Sequence, residues 1–409
     1  MRRKLALIFG FVFIELLGYS LVLPLLPYYA ETFGASLTLV GLLGTVNAFC
    51  QLLAAPVVGR LSDRYGRRPL LLFSIGGTVV SFLILGLAQS LGMIFLSRAL
   101  DGLFGGNVAL ARAYIADVTD EQSRARSLGI IGAAFGLGFI FGPAMGGLLS
   151  AYGYSVPALA AAGLSALNLV AVALWLPESL TPSVRERIRA TPRVALTFPG
   201  LWEALRDPCC AHLLEIRFVY GLAFTLFQAN FALWAKTRLG LTAQSTSYVL
   251  TYVGVLAVLV QGLAIGRLTA RFREPSLILG GTISLALGML AWAATPSVLW
   301  LLPVLAVLAL SGGVLNVVLT SQLTKSVPPE RVGGVLGLAT SLYTLAQIVS
   351  PGVGGFVLER VSSWAPGALG GVLMILTVWL TLRHLARERE KESARAGGPP
   401  AMSGLGPNE

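Results

Sequence analysis

The sequence predicts an all-α membrane protein, twelve transmembrane helices arranged as two parallel six-helix repeats. Three observations carry this. Of 409 residues, 55% are hydrophobic and only 12% are charged, about half the ~25% charged fraction of an ordinary soluble domain. Apolar stretches of roughly 20 residues, the length that crosses a hydrocarbon core as a helix, recur from one end of the chain to the other. Landmarks beside the second and fifth stretches return beside the eighth and eleventh.

In order, the stretches are residues 5–27, 38–59, 70–90, 93–115, 128–150, 157–176, 211–234, 244–265, 276–294, 298–320, 333–357 and 366–382. The first follows Met1-Arg2-Arg3-Lys4, but its apolar run is too long for a signal peptide and has no small-residue cleavage site, so it reads as a retained helix. The expected organisation is a six-helix half over 1–176, a central loop over 177–210, a second half over 211–383 and a disordered tail over 384–409. Mixed charge followed by Gly and Pro motivates the tail.

A net charge of +11 would suggest nucleic acid in a soluble protein, but here the basic residues crowd into alternate short connections between spans. That placement argues against a nucleic-acid partner and gives orientation. By the positive-inside rule, both termini and the central loop face the cytoplasm of a multi-pass plasma-membrane protein. Cys50, Cys209 and Cys210 offer neither a disulfide framework nor metal-ligand spacing. No membrane-embedded nucleophile, base and metal constellation is visible, so no enzyme and no cofactor is expected.

Gly59-Arg60-Leu61-Ser62-Asp63-Arg64-Tyr65-Gly66-Arg67-Arg68-Pro69 follows the second span, and Gly266-Arg267-Leu268-Thr269-Ala270-Arg271-Phe272-Arg273-Glu274-Pro275 follows the eighth. In the fifth span, Gly142-Pro143-Ala144-Met145-Gly146-Gly147 is echoed in the eleventh by Ser350-Pro351-Gly352-Val353-Gly354-Gly355. With six spans per half, the repeats are parallel and related by an axis along the membrane normal. That architecture puts a binding site between them.

These residues resemble the major facilitator superfamily, and within it the twelve-span drug:proton antiporters, including the tetracycline efflux proteins. The resemblance spans nearly the whole chain. Gly59, Asp63, Gly66, Arg67 and Arg68 fit the family's loop signature, which implies a cytoplasmic latch. Asp63 would face the start of the eleventh helix, whose N-terminus favours negative charge, and Arg67 would reach Asp117 at the end of the fourth. Leu17-Gly18 through Pro24-Leu25-Leu26-Pro27 and Leu176-Pro177-Glu178-Ser179 resemble further family motifs. Gly138, Gly142, Pro143, Gly146 and Gly147 match its antiporter pattern in the fifth helix. Physically, such small residues allow close helix approach, and Pro143 opens a hinge in the hydrogen-bond ladder. Packing alone assigns no direction of transport. One departure bears on substrate: tetracycline exporters carry an acid in the ninth helix and a histidine in the eighth, and this chain has neither.

Charges within spans need a reason, because each costs at least ~2.5–3.5 kcal/mol at mid-bilayer on insertion scales. Arg98 and Asp101, three apart on the fourth span, begin a polar and small-residue stripe with Gly102, Gly105 and Ala109, read as facing a cavity. Glu15 shares a face of the first span with Gly18, Tyr19 and Val22. Asp101 and Glu15 are candidate proton sites; a fixed ion pair for Asp101 and a hydrogen-bonded buried acid for Glu15 are the alternatives. Arg112, Glu215 and Arg217 lie near span ends, where snorkelling suits them to structural roles. Asn47, Gln51, Gln228, Gln261, Asn316 and Gln347 either line the cavity or join helices.

The expected function is proton-coupled export of a small amphipathic molecule or drug by alternating access, driven by the proton gradient, from a monomer in a lipid bilayer. The rivals are a metabolite or sugar facilitator or symporter of the same fold, and a non-transporting sensor or anchor.

Overall fold

The computed structural model describes residues 2–119, 121–180 and 210–396, all of whose regular structure is helical. Helices are the open-chain solution to crossing lipid, since every backbone N–H and C=O must be satisfied within the segment. Among the described residues, eleven helices are long and apolar enough to span a bilayer. The remaining span, the fourth, is present in two pieces, Leu91–Phe104 and Asn107–Val118.

That break corrects the expectation of a continuous stripe along the fourth span. At Gly105-Gly106 the helical ladder gives way to tighter bonds, Gly105 N–H to the Gly102 carbonyl at 3.2 Å and Gly106 N–H to the Phe104 carbonyl at 2.8 Å. Ser74 of the third span donates to that same Phe104 carbonyl. Arg98 and Asp101 therefore sit on one piece and Ala109 on the other.

Three other spans depart from the apolar pattern. The first (Arg2–Val22) stops before Pro24, and a short helix, Leu26–Glu31, follows. The eighth contains a π turn, Val260–Ala264, between Ala243–Leu259 and Ile265–Arg271. The twelfth is helical over Ala365–Ala396, so the expected disorder does not begin at 384. Residues 384–396 contain no Gly or Pro and are rich in Ala, Arg, Glu and Lys, strong helix formers that carry the last span onward. The rest of the expected tail, 397–409, and of the central loop, 181–209, lies outside the described residues.

Turn chemistry sets several boundaries. Ser36, Ser90 and Thr242 cap the second (Leu37–Tyr65), fourth and eighth spans, each accepting from the N–H three residues on. Gly66, at φ +117°, reverses the chain so that the third span (Arg67–Gly86) can begin at once.

Packing repeats between the halves. The first span lies on the fifth (Glu121–Leu149) and sixth (Ser155–Trp175), as the seventh (Ala211–Leu239) lies on the eleventh (Pro329–Arg360) and twelfth. The third packs on the sixth as the ninth (Glu274–Ala294) packs on the twelfth. Across the halves the pairs are fifth with eighth and second with eleventh, so the chain obeys the pseudo-two-fold relation expected of parallel repeats.

Close approach is built from glycine. A β-carbon at Gly142 would collide with Ser20 Oγ, one at Gly146 with the Leu21 carbonyl, and one at Gly138 would stand 2.9 Å from Leu16 Cβ. These three seat the first span. Gly147 faces the eighth instead, where a β-carbon would lie 2.7 Å from Ser247 Cβ. Pro143 sits inside an uninterrupted helix. The Phe139 carbonyl that it leaves without an amide donor meets Gly254 of the eighth span.

Candidate transport pathway

The halves are fastened at the end opposite the basic loops. Tyr28 donates to the Leu241 carbonyl at 3.0 Å and shares a 2.6 Å hydrogen bond with Thr246. Burial pushes its phenol up to about 12, so it stays protonated at physiological pH. Glu31 pairs with Lys236. The Thr38 N–H, at the start of the second span, donates to Glu359 Oε2 near the end of the eleventh at 2.8 Å, and Thr45 donates to the Ile348 carbonyl at 2.7 Å. The contact between these two spans runs through residues 37–45 and 348–359. Nearer the basic end, Gly59 on one span and Gly333 and Gly334 on the other have open space where a side chain would be. The described contacts across the halves at this pair of spans therefore gather at the end opposite the basic loops.

Asp63 pairs with Arg67 of its own half, Oδ1 to Nη1 at 2.6 Å. The expected Arg67–Asp117 pair is present, Nε to Oδ2 at 3.0 Å, with both side chains less than 10% exposed. Ser62 and Ser179 join it, the first accepting from Arg67 and the second donating to Asp117 at 3.0 Å. Glu178, from the sixth-span exit, accepts the N–H groups of Arg67 (2.9 Å) and Arg68 (3.1 Å) and so caps the third span. Arg68 donates to the Ala173 carbonyl. Gly66 is needed for a second reason here, since a β-carbon would run into the Glu178 carboxylate.

Inside the N-terminal half, Arg98 and Asp101 meet at 3.4 Å, both buried. Asn47 bridges them from the second span, donating to Asp101 Oδ2 at 2.9 Å and to the Arg98 carbonyl at 3.1 Å. One turn on, Gln51 donates to the Gly105 carbonyl at 3.1 Å, holding the break in the fourth span. Glu15 is buried and accepts from Asn107 at 2.7 Å and Asn168 at 3.2 Å. Asn107 also donates to Thr78 at 3.3 Å. Neither asparagine stood out in the sequence; the only available signal was a polar amide within an apolar stretch.

In the C-terminal half, Arg217 crosses to the tenth span (Val298–Lys325), donating to Thr320 at 3.2 Å and Asn316 at 3.4 Å. Tyr343 donates to Gln228 at 3.4 Å. Arg112 and Glu215 are exposed, as expected near span ends. Gln261 is exposed in the π turn and Gln347 is half-buried on the eleventh span; among the described residues, neither joins these clusters. Among the described residues no group of His, Cys, Asp and Glu could hold a metal.

The sequence matches the model of the Major Facilitator Superfamily over residues 8–210 and 213–406. The chain belongs to the major facilitator superfamily. It is thus a multi-pass membrane transporter of a small molecule, in a family of transporters and not of enzymes, and its relatives include drug-efflux proteins. It is 33% identical over 353 residues to the tetracycline resistance protein, class C, of Escherichia coli, covering 85% of this chain and 88% of that one. It is 26% identical over 384 residues to multidrug resistance protein 2 of Bacillus subtilis (strain 168), covering 94% and 95%. Among solved structures, the human organic anion transporter MFSD10 (TETRAN) superposes with a TM-score of 0.70 at 24% identity, over 93% of this chain and 99% of that one.

Proposed function

We propose that this superfamily member exports a small amphipathic molecule in exchange for protons, working as a monomer in the plasma membrane. Both termini lie in the cytoplasm, so the basic end opens there. The observation that carries the reading is Glu15, a buried carboxylate whose partners are two neutral amides and no cation. A proton arriving at or leaving such a group changes the net charge of the membrane interior, which a transport cycle can use. Asp101, paired with Arg98, is the second acid of the pathway. The latch of Asp63, Arg67 and Asp117 locks the cytoplasmic end when the halves rock the other way, and Asp63 then faces the start of the eleventh span. The glycine face of the fifth span seats the first within one half, and its contact with the eighth, at Gly147 and Gly254, is where the halves turn against each other.

The test is proton release from acid-loaded, reconstituted vesicles on addition of a panel of amphipathic anions, cations and zwitterions. Release that depends on an added compound, lost in Glu15→Gln and weakened in Asp101→Asn, supports exchange. Equal release in the native chain and both variants, or transport of a compound with no proton movement, overturns it.

A further inference from the structure

Arg217 stands apart from the other interior charges. Arg98 has Asp101, whereas the partners of Arg217 are the uncharged oxygens of Thr320 and Asn316, and among the described residues no carboxylate reaches it. Its Nε–H is buried without an acceptor. The residue lies seven residues into the seventh span, about 9 Å from that helix's start, and its guanidinium crosses to the neighbouring helix instead of reaching back to the membrane surface. Exporting a bare cation from water into this setting is costly, and an unmet donor on a guanidinium adds to that cost.

The surroundings describe what would relieve it. Asn316 and Gln228 are exposed polar side chains within long apolar helices, the first bonded to Arg217 and the second to Tyr343. Tyr220 is buried, donates to the Gly312 carbonyl at 3.0 Å and backs the partly buried Phe224, with 5.6 Å between ring centroids. A planar guanidinium whose fork fits two oxygens, beside an aromatic wall, is suited to an aromatic carboxylate.

We propose that Arg217 receives the acidic group of the transported molecule, and that this molecule is an aromatic organic anion bound against Phe224. This rests on the chain being an exporter whose cavity opens between the halves. Binding in detergent, which needs no proton gradient, separates its failure from that of proton exchange.

The experiment is fluorescence polarisation of two dyes that share a xanthene skeleton, anionic fluorescein and cationic rhodamine 123, titrated with the purified full chain. Fluorescein binding is expected to weaken about ten- to hundredfold in Arg217→Gln, the loss of a charge-assisted contact. Arg217→Lys, which keeps the charge and loses the fork, should recover only part of it, and rhodamine 123 should be unaffected. Because Arg217→Gln removes a brace between two spans, Asn316→Asp provides a second variant. It supplies the missing carboxylate in place, so it should abolish fluorescein binding with no fall in melting temperature. Undiminished fluorescein binding in either variant overturns the proposal. So does equal loss of both dyes in Arg217→Gln at an unchanged melting temperature, as does a native chain that binds no fluorescein.

Discussion

At the start of the third span, Arg67 holds Asp117 from the end of the fourth; at the start of the ninth, Glu274 holds Lys325 from the end of the tenth, at 2.7 Å. The two halves thus brace the same corner with the polarity reversed. They also bury it differently. The N-terminal pair is less than 10% exposed on both sides and tied to Asp63, whereas Lys325 is 63% exposed and Glu274 draws its other bonds from Ser321 and Gln322. In the repeat, the position of Asp63 is taken by Ala270. A corner therefore needs an ion pair but not a particular sign. What distinguishes the N-terminal half is the extra acid, Asp63, which shares Arg67 with Asp117.

The sharpest way to break this comparison is Arg67→Ala, which removes the buried cation shared by Asp63 and Asp117 and should cost about 3–5 kcal/mol, read as a fall in melting temperature in detergent. A loss no larger than that of a surface pair would sink the distinction. Next is Gly142→Leu, which drives a side chain into Ser20 and the Leu21 backbone and should cost about 3 kcal/mol of overpacking. The matching eleventh-span position already carries a side chain, Ser350, which bonds Thr225 at 2.9 Å, so Ser350→Ala should cost only ~1 kcal/mol. A third test reverses the N-terminal corner with Arg67→Glu and Asp117→Lys. Most of the stability lost in Arg67→Ala should return only when Asp63→Ala is added, as in the other half; recovery without it would mean that Asp63 plays no part in setting the sign. The smallest effect belongs to Glu274→Ala, about 1 kcal/mol or less for a solvent-screened pair.

The spans, the repeat and the Arg67–Asp117 pair were legible because each is written locally, as a run of apolar residues or a short ordered motif. The break in the fourth span was not. Gly105 and Gly106 look like packing residues until Ser74 and Gln51 are seen holding the carbonyls around them. Asn107 and Asn168 were missed for a related reason, since their partner is 92 and 153 residues away in the chain and an isolated amide in an apolar run gives no sign of what it meets. The fastening by Tyr28, Glu31 and Glu359 sits in short connections and helix ends, where polar residues are ordinary.

The piece of the fourth span running from Asn107 to Val118 carries Glu15's partner at one end and Asp117 of the latch near the other. Ten residue steps separate them, about 15 Å. Set off from the rest of its span at Gly105-Gly106, this one short rod touches both the buried carboxylate and the cytoplasmic corner.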